Sequence, residues 1–155
     1  MAYEDTVVPV HRSQEAIRDL FESHGSNQIA FITDKEAEGL EAFVQLGTEL
    51  CRVRILATVK AKTEAVRRRG RWVDAETMRT RERRRVWRVL YHHLKAMFVG
   101  ADEHVVELRT SMLPFVVTRD GATVADALGG QLARLIERGP ARLLALPAKG
   151  ETTNA

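Results

Sequence analysis

Apolar positions change period several times along this chain, and the changes mark its elements. Ala16, Ile17, Leu20 and Phe21 fall at helical spacing, with Ser13 as the expected N-cap and Gly25 as the residue that ends the helix. "NQIAFIT" (27–33) is a short apolar run of strand character, and the acidic "DKEAEG" (34–39) reads as a solvated connection. "LEAFVQL" (40–46) and "ELCRVRILATV" (49–59) form an expected hairpin around Gly47-Thr48. In the second of these runs Cys51, Val53, Ile55, Ala57 and Val59 share one face, the core side. Arg52, Arg54, Leu56, Thr58 and Lys60 share the other, which an antiparallel sheet can leave wet.

Residues 61–73 show no sustained period, and Arg67, Arg68, Arg69 and Arg71 around Gly70 predict a mobile basic loop. Asp74 is the expected N-cap of a long helix over 75–100, with Gly100 as its stop. Residues 101–121 read as a short helix or strand, then an extended "PFVVT" and an Asp-Gly turn. Thr123 with Asp126 opens a last helix that runs to about Arg138, with a break at Gly129-Gly130 and a stop at Gly139-Pro140. The expected fold is therefore α+β: an N-terminal helix, a three-stranded antiparallel sheet packed on a long central helix, and a C-terminal helix. One domain covers residues 1–140. Residues 141–155 form a flexible or docking tail carrying Leu143, Leu144 and Leu146.

The long helix contains "RTRERRRVWRVLYHHLKAMF" (79–98), with six arginines in its first ten positions. At about 100° per residue, Arg81, Arg84, Arg85, Arg88, His92 and Lys95 share one stripe. Trp87, Leu90, Tyr91, Leu94, Met97 and Phe98 cover the adjoining arc, and Val89, His93 and Ala96 most of the rest. The pattern predicts a helix packed on more than one side, open only along its basic line. Arg83 falls on the apolar side and is expected to make a structural ion pair.

Charge sharpens this picture. Residues 60–95 hold 13 lysines and arginines against 4 acids, +9 locally against −6 for the rest of the chain. Such a concentration points to a polyanionic partner. Three basic features could merge into one nucleic-acid surface: the helical stripe, the 67–71 loop, and Arg52 with Arg54 on the sheet. Trp72 beside the loop could stack on an unpaired base or anchor the loop to the core. DNA is favoured over RNA as partner.

Other chemistry is sparse. No GxxxxGK[ST] or GxGxxG motif occurs. His92 and His93 point to different sides of a helix. Asp102, Glu103 and His104 make a weak cluster, and Asp34, Glu36, Glu38 and Glu41 read as a solvated acidic turn. Cys51 is the single cysteine and reads as a small core hydrophobe. The expectation is a non-catalytic protein without cofactor or metal. No apolar run is long enough to span a bilayer. The opening "MAYEDTVVPVHR" lacks the regions of a secretory signal, so a reducing intracellular setting is expected.

Three stretches also resemble a family of uncharacterised phage and prophage proteins. "MAYEDTVVPVHRSQEAIRDLF" is similar to that family's AYE-x-T-x-VPV-x-x-SQ-x-x-I start, and "ERRRVWRVLYHHLKA" to its RR-x-WR-x-L-x-x-x-x-KA helix. "LPFVVTRDGATVADAL" resembles its closing stretch, while "MFVGADEHVVELRTS" departs from the acidic, glycine-containing turn usual there. The family carries no assigned activity, so no site residues follow from it. The resemblance implies phage or prophage origin, hence the cytoplasm of a bacterial host and a replication or recombination setting. The order of elements is also similar to the double-stranded-RNA-binding domain and to the core of single-strand annealing proteins. The hairpin here is shorter than the first usually has, and its lysine motif is absent. The alternative is an oligomeric interaction protein or an inhibitor of a host protein, using the apolar excess of the long helix and the leucine tail.

Overall fold

The computed structural model describes residues 3, 6–34, 37–59, 66–68, 70–131 and 134. Helix α1 (Val10–Ser23) is followed by strands β1 (Ile29–Thr33), β2 (Ala37–Leu46) and β3 (Glu49–Thr58), which pair antiparallel in the order β1-β2-β3. A short hairpin of β4 (Val66–Arg68) and β5 (Arg71–Val73) leads into α2 (Ala75–Asp102). Helix α3 (Leu108–Met112), a 3-10 turn (Leu113–Phe115) and α4 (Val124–Gly129) complete the described chain. This is the expected α+β arrangement.

The sheet buries one face. Leu40, Ala42, Val44 and Leu46 of β2 and Val53 and Ile55 of β3 meet Trp87, Leu90, Leu94 and Phe98 of α2 and Ile17 and Phe21 of α1. Rings lock the layers: Phe21 meets Phe98 edge-on at 5.1 Å, and Phe31 meets Trp87 at 5.6 Å. The β2–β3 hairpin turns at Gly47-Thr48 as expected, with Leu46 opposite Glu49 and Gly47 at φ +70°. The segment after α3 extends the sheet slightly. Val116 bridges Val53, and the Val117 N–H donates to the Arg52 carbonyl at 2.8 Å.

Several local expectations are corrected. Helix α1 begins at Val10 with Pro9 as N-cap, and Ser13 lies fully buried inside it. Proline suits a helix start because the first N–H groups have no intrahelical acceptor to lose. Strand β2 begins at Ala37, so Glu38 and Glu41 belong to the sheet and not to a solvated turn. Glu38 is 1% exposed and accepts hydrogen bonds from Arg83 Nε and Trp87 Nε1. The ion pair expected of Arg83 is thus made, and with a residue read as surface.

The predicted loop over 61–73 contains a hairpin turning at Gly70 (φ +80°). Its strands are three residues long, too short for an alternation to register. Residues 60–65 and Arg69 lie outside the described residues, as do 132–133 and 135–155, which include the end of the expected last helix and the leucine tail.

Helix α2 runs two residues past Gly100. Its end is set by His104 at φ +56°, whose N–H donates to the Ala101 carbonyl while Val105 N–H donates to Gly100. That pairing caps a helix through a left-handed residue, and α1 ends the same way at Gly25. His104 is therefore a cap, and among the described residues no group of three or more His, Cys, Asp or Glu is placed to hold a metal. Among those residues no helix is long and apolar enough to cross a membrane.

Candidate nucleic-acid interface

Helix α2 sets the candidate interface, and its phase is fixed at the start. Asp74 Oδ1 accepts from the Thr77 N–H and Oδ2 from the Thr77 hydroxyl, each at 2.8 Å. These two bonds hold the Asp74 carboxyl below the usual carboxylate range. Val86, Trp87, Leu90, Leu94 and Phe98 then face the core. Arg81, Arg84, Arg88 and Lys95 fall outside that core-facing arc, Arg81 and Lys95 exposed, Arg84 and Arg88 half-buried.

The members of this line differ in how they are held. Arg85 makes two bonds to Glu82, at 2.9 and 2.7 Å, so much of its charge is already matched. The Arg88 guanidinium lies 5.0 Å from the Tyr91 ring centroid and Lys95 Nζ 5.9 Å from it. One ring thus orients two cations without neutralising either. Helix α2 also exposes Val89, His93, Ala96 and Val99, so the basic line is not its only open one. A three-stranded sheet with α1 and α3 at the flanks is too narrow to cover a helix of 28 residues.

His92 lies within the line, under the ring of Tyr3, which stacks on it at 4.9 Å and 7°. Its Nε2 is shielded and has no hydrogen-bond partner among the described residues. Burial first, then the charges of Arg88 and Lys95, hold the imidazole below its ordinary value. The folded chain therefore resists a proton that the unfolded chain accepts. Stability contributed by neutral His92 is full above about pH 6.5, the ordinary histidine value, and is lost as pH falls through the lower folded value. His92→Gln should flatten the stability–pH curve relative to wild type in that window, measured by urea unfolding at stepped pH. Parallel curves would mean that His92 is freely hydrated.

The three expected basic features do not form one surface. Arg52 and Arg54 alternate with buried Val53 and Ile55, so they project from the sheet face opposite α2. Arg54 is also engaged there, its Nε with Glu41 at 2.5 Å and its Nη1 with the Gly121 carbonyl at 2.9 Å. The hairpin is close to the line, since only Val73 separates Trp72 from the Asp74 cap. Trp72 is 73% exposed and does not anchor the hairpin to the core. Its cross-strand partner is Arg67, and Arg68 stands opposite Arg71. For these three arginines the structure describes the backbone alone.

The first three turns of α2 and its Asp74 cap also line an open cleft of about 600 Å³ with Asp74, Glu76, Thr77, Thr80, Arg81 and Arg84. Sequence reasoning took Asp74 only as the cap and passed over Glu76 and the two threonines. Part of the signal was present, because 74, 77, 81 and 84 share a helical face. A second polar cluster mimics a catalytic triad. Ser23 Oγ lies 3.1 Å from His24 Nδ1, and His24 Nε2 lies 3.0 Å from Asp102. Yet Ser23 Oγ donates to the Leu20 carbonyl, and His24 Nδ1 is 2.7 Å from that same oxygen. The serine has no base facing it, and the cluster ties the ends of α1 and α2 together.

No known protein-family model, curated protein or solved structure matches this chain.

Proposed function

We propose that this chain is a phage-encoded, non-catalytic nucleic-acid-binding protein acting in replication or recombination in the bacterial cytoplasm, with DNA ahead of RNA as its partner. The observation that carries the reading is the line of Arg81, Arg84, Arg88 and Lys95 along α2, outside its core-facing arc. From Arg81 to Lys95 it extends about 21 Å, at 1.5 Å per residue. Fixed cations along a rigid rod can contact successive phosphates with little loss of side-chain freedom. The local excess of +9 over residues 60–95 adds attraction at longer range. Because these contacts reach backbone and not base edges, sequence selectivity should be weak.

Electrophoretic shift and anisotropy assays at stepped salt test this. Four phosphate contacts predict that log K falls with log salt with a slope of about −3 to −4. Arg84→Glu/Arg88→Glu should weaken binding more than tenfold while leaving circular dichroism and thermal midpoint near wild type. Equal affinity of that variant and wild type would remove this reading.

A second reading, an interaction protein that pairs with another copy of itself, is favoured by an apolar groove of about 300 Å³. It runs between the outer edge of β3 and α2, where Ile55, Ala57, Val86, Val89 and Phe115 line it. Among the described residues this edge is bridged only at Val53, and unpaired strand edges recruit strands. A stable oligomer by mass measurement, with no nucleic-acid shift at low salt, would select it.

A further inference from the structure

We infer that the cleft at the start of α2, together with Trp72 two residues before Asp74, takes an unpaired nucleotide, so that the preferred ligand is single-stranded DNA. This inference rests on the nucleic-acid reading above and narrows it to one substrate class.

The first support is Trp72. A tryptophan 73% exposed on a two-stranded hairpin contributes little to the core. Its indole offers a flat face to a base, and only an unpaired base can offer its own face in return. The second support is position. Asp74 lines the cleft, and two residues of extended chain place its Cα within about 7 Å of that of Trp72. A base on the indole therefore puts its own sugar-phosphate beside the cleft.

The third support is the mixed lining. Arg81 and Arg84 can hold phosphate oxygens, and the Thr80 hydroxyl can donate to one. Asp74 and Glu76 lie in the same cleft and repel phosphate. A purely electrostatic site for a duplex backbone has no use for them. Carboxylates instead accept hydrogen bonds from exocyclic base amines, as on cytosine. Pairing engages one of the two hydrogens of such an amine in a duplex, and a single strand leaves both available. The helix N-terminus itself is not the anion site, since the Asp74 cap already takes the Thr77 N–H. Single-stranded DNA satisfies all three observations together: a base face on Trp72, amines at Asp74 and Glu76, and phosphates at Arg81 and Arg84.

The chain has two tryptophans, and Trp87 is fully buried. Intrinsic fluorescence therefore reports stacking on Trp72. The full chain is titrated with a single-stranded DNA of about 15 nucleotides, long enough at 3.4 Å per nucleotide to exceed the basic line, and with the same sequence as a duplex. The expected result is quenching and tighter binding for the single strand. Trp72→Ala should cost roughly tenfold in single-strand affinity and leave duplex affinity unchanged. Trp72→Phe should keep most of the preference, because the ring remains. Circular dichroism checks that both variants stay folded. Equal single-strand affinity of Trp72→Ala and wild type, or a duplex that binds as tightly as the single strand, overturns the inference. If the Arg84→Glu/Arg88→Glu loss persists in that case, the nucleic-acid reading survives. Absence of binding to either DNA form overturns both.

Discussion

Replacing Arg83 with methionine should destabilise the protein by about 3 kcal/mol, a large share of the roughly 5–15 kcal/mol that holds a domain together. The cause lies in its partner. Glu38 is 1% exposed on the core face of β2, and its two described partners are Arg83 and Trp87. Without the guanidinium, a carboxylate is left in a dry layer with one neutral donor. A buried charge without its counter-ion costs far more than the intact pair contributes. The figure stands at the low end of the range because the Arg83 side chain is one-third exposed and keeps some hydration. Methionine preserves the stem, so lost packing is small. The companion is Glu38→Gln/Arg83→Met, which removes both charges while leaving the Trp87 indole an acceptor. It should regain most of the stability, and urea unfolding of both variants gives the coupling directly. A single-variant loss below about 1 kcal/mol would mean that Glu38 is hydrated.

Gly39→Ala should cost about 3 kcal/mol or more, for a different reason. Gly39 stands opposite Leu56 in the β2–β3 ladder. A Cβ there would collide with the Ile55 carbonyl oxygen and crowd the Leu56 Cα. These are backbone atoms of a central pairing, so no rotamer change relieves the clash and the strands must separate. Separation also disturbs the neighbouring Glu38 pair. Gly47→Ala is the control. Its φ of +70° carries only the left-handed cost of about 1–2 kcal/mol, and open space surrounds it. Thermal unfolding should rank Gly39→Ala well below Gly47→Ala. The reverse order would show that the strands yield at Gly39.

The two largest expected effects act at Glu38, through its partner Arg83, and at the adjacent Gly39, both of which the sequence pattern assigns to an acidic connection. That error has a clear origin. Glu38 is paired by side chains 45 and 49 positions away, and no local period announces such partners. An acid in an acidic stretch looks solvated until Trp87 is placed against it. The site divides in the same way. Arg81, Arg84, Arg88 and Lys95 could be grouped by angle alone, because helical geometry is local. The matching of Arg85 by Glu82, three residues away, is also within local reach. The stacking of Tyr3 over His92 is not.

The sequence by itself determined what short-range forces decide: the α+β class, the Gly47 hairpin, the Asp74 and Thr123 caps, the Gly25 terminus and the membership of each face. Only the tertiary structure decided what lies opposite each face. It turned Arg52 and Arg54 away from α2, left Trp72 uncovered, and buried Glu38 under Arg83. A repeat along the chain records which side chains point together. Burial and pairing depend on surfaces brought together from distant parts of the chain, and packing chooses those.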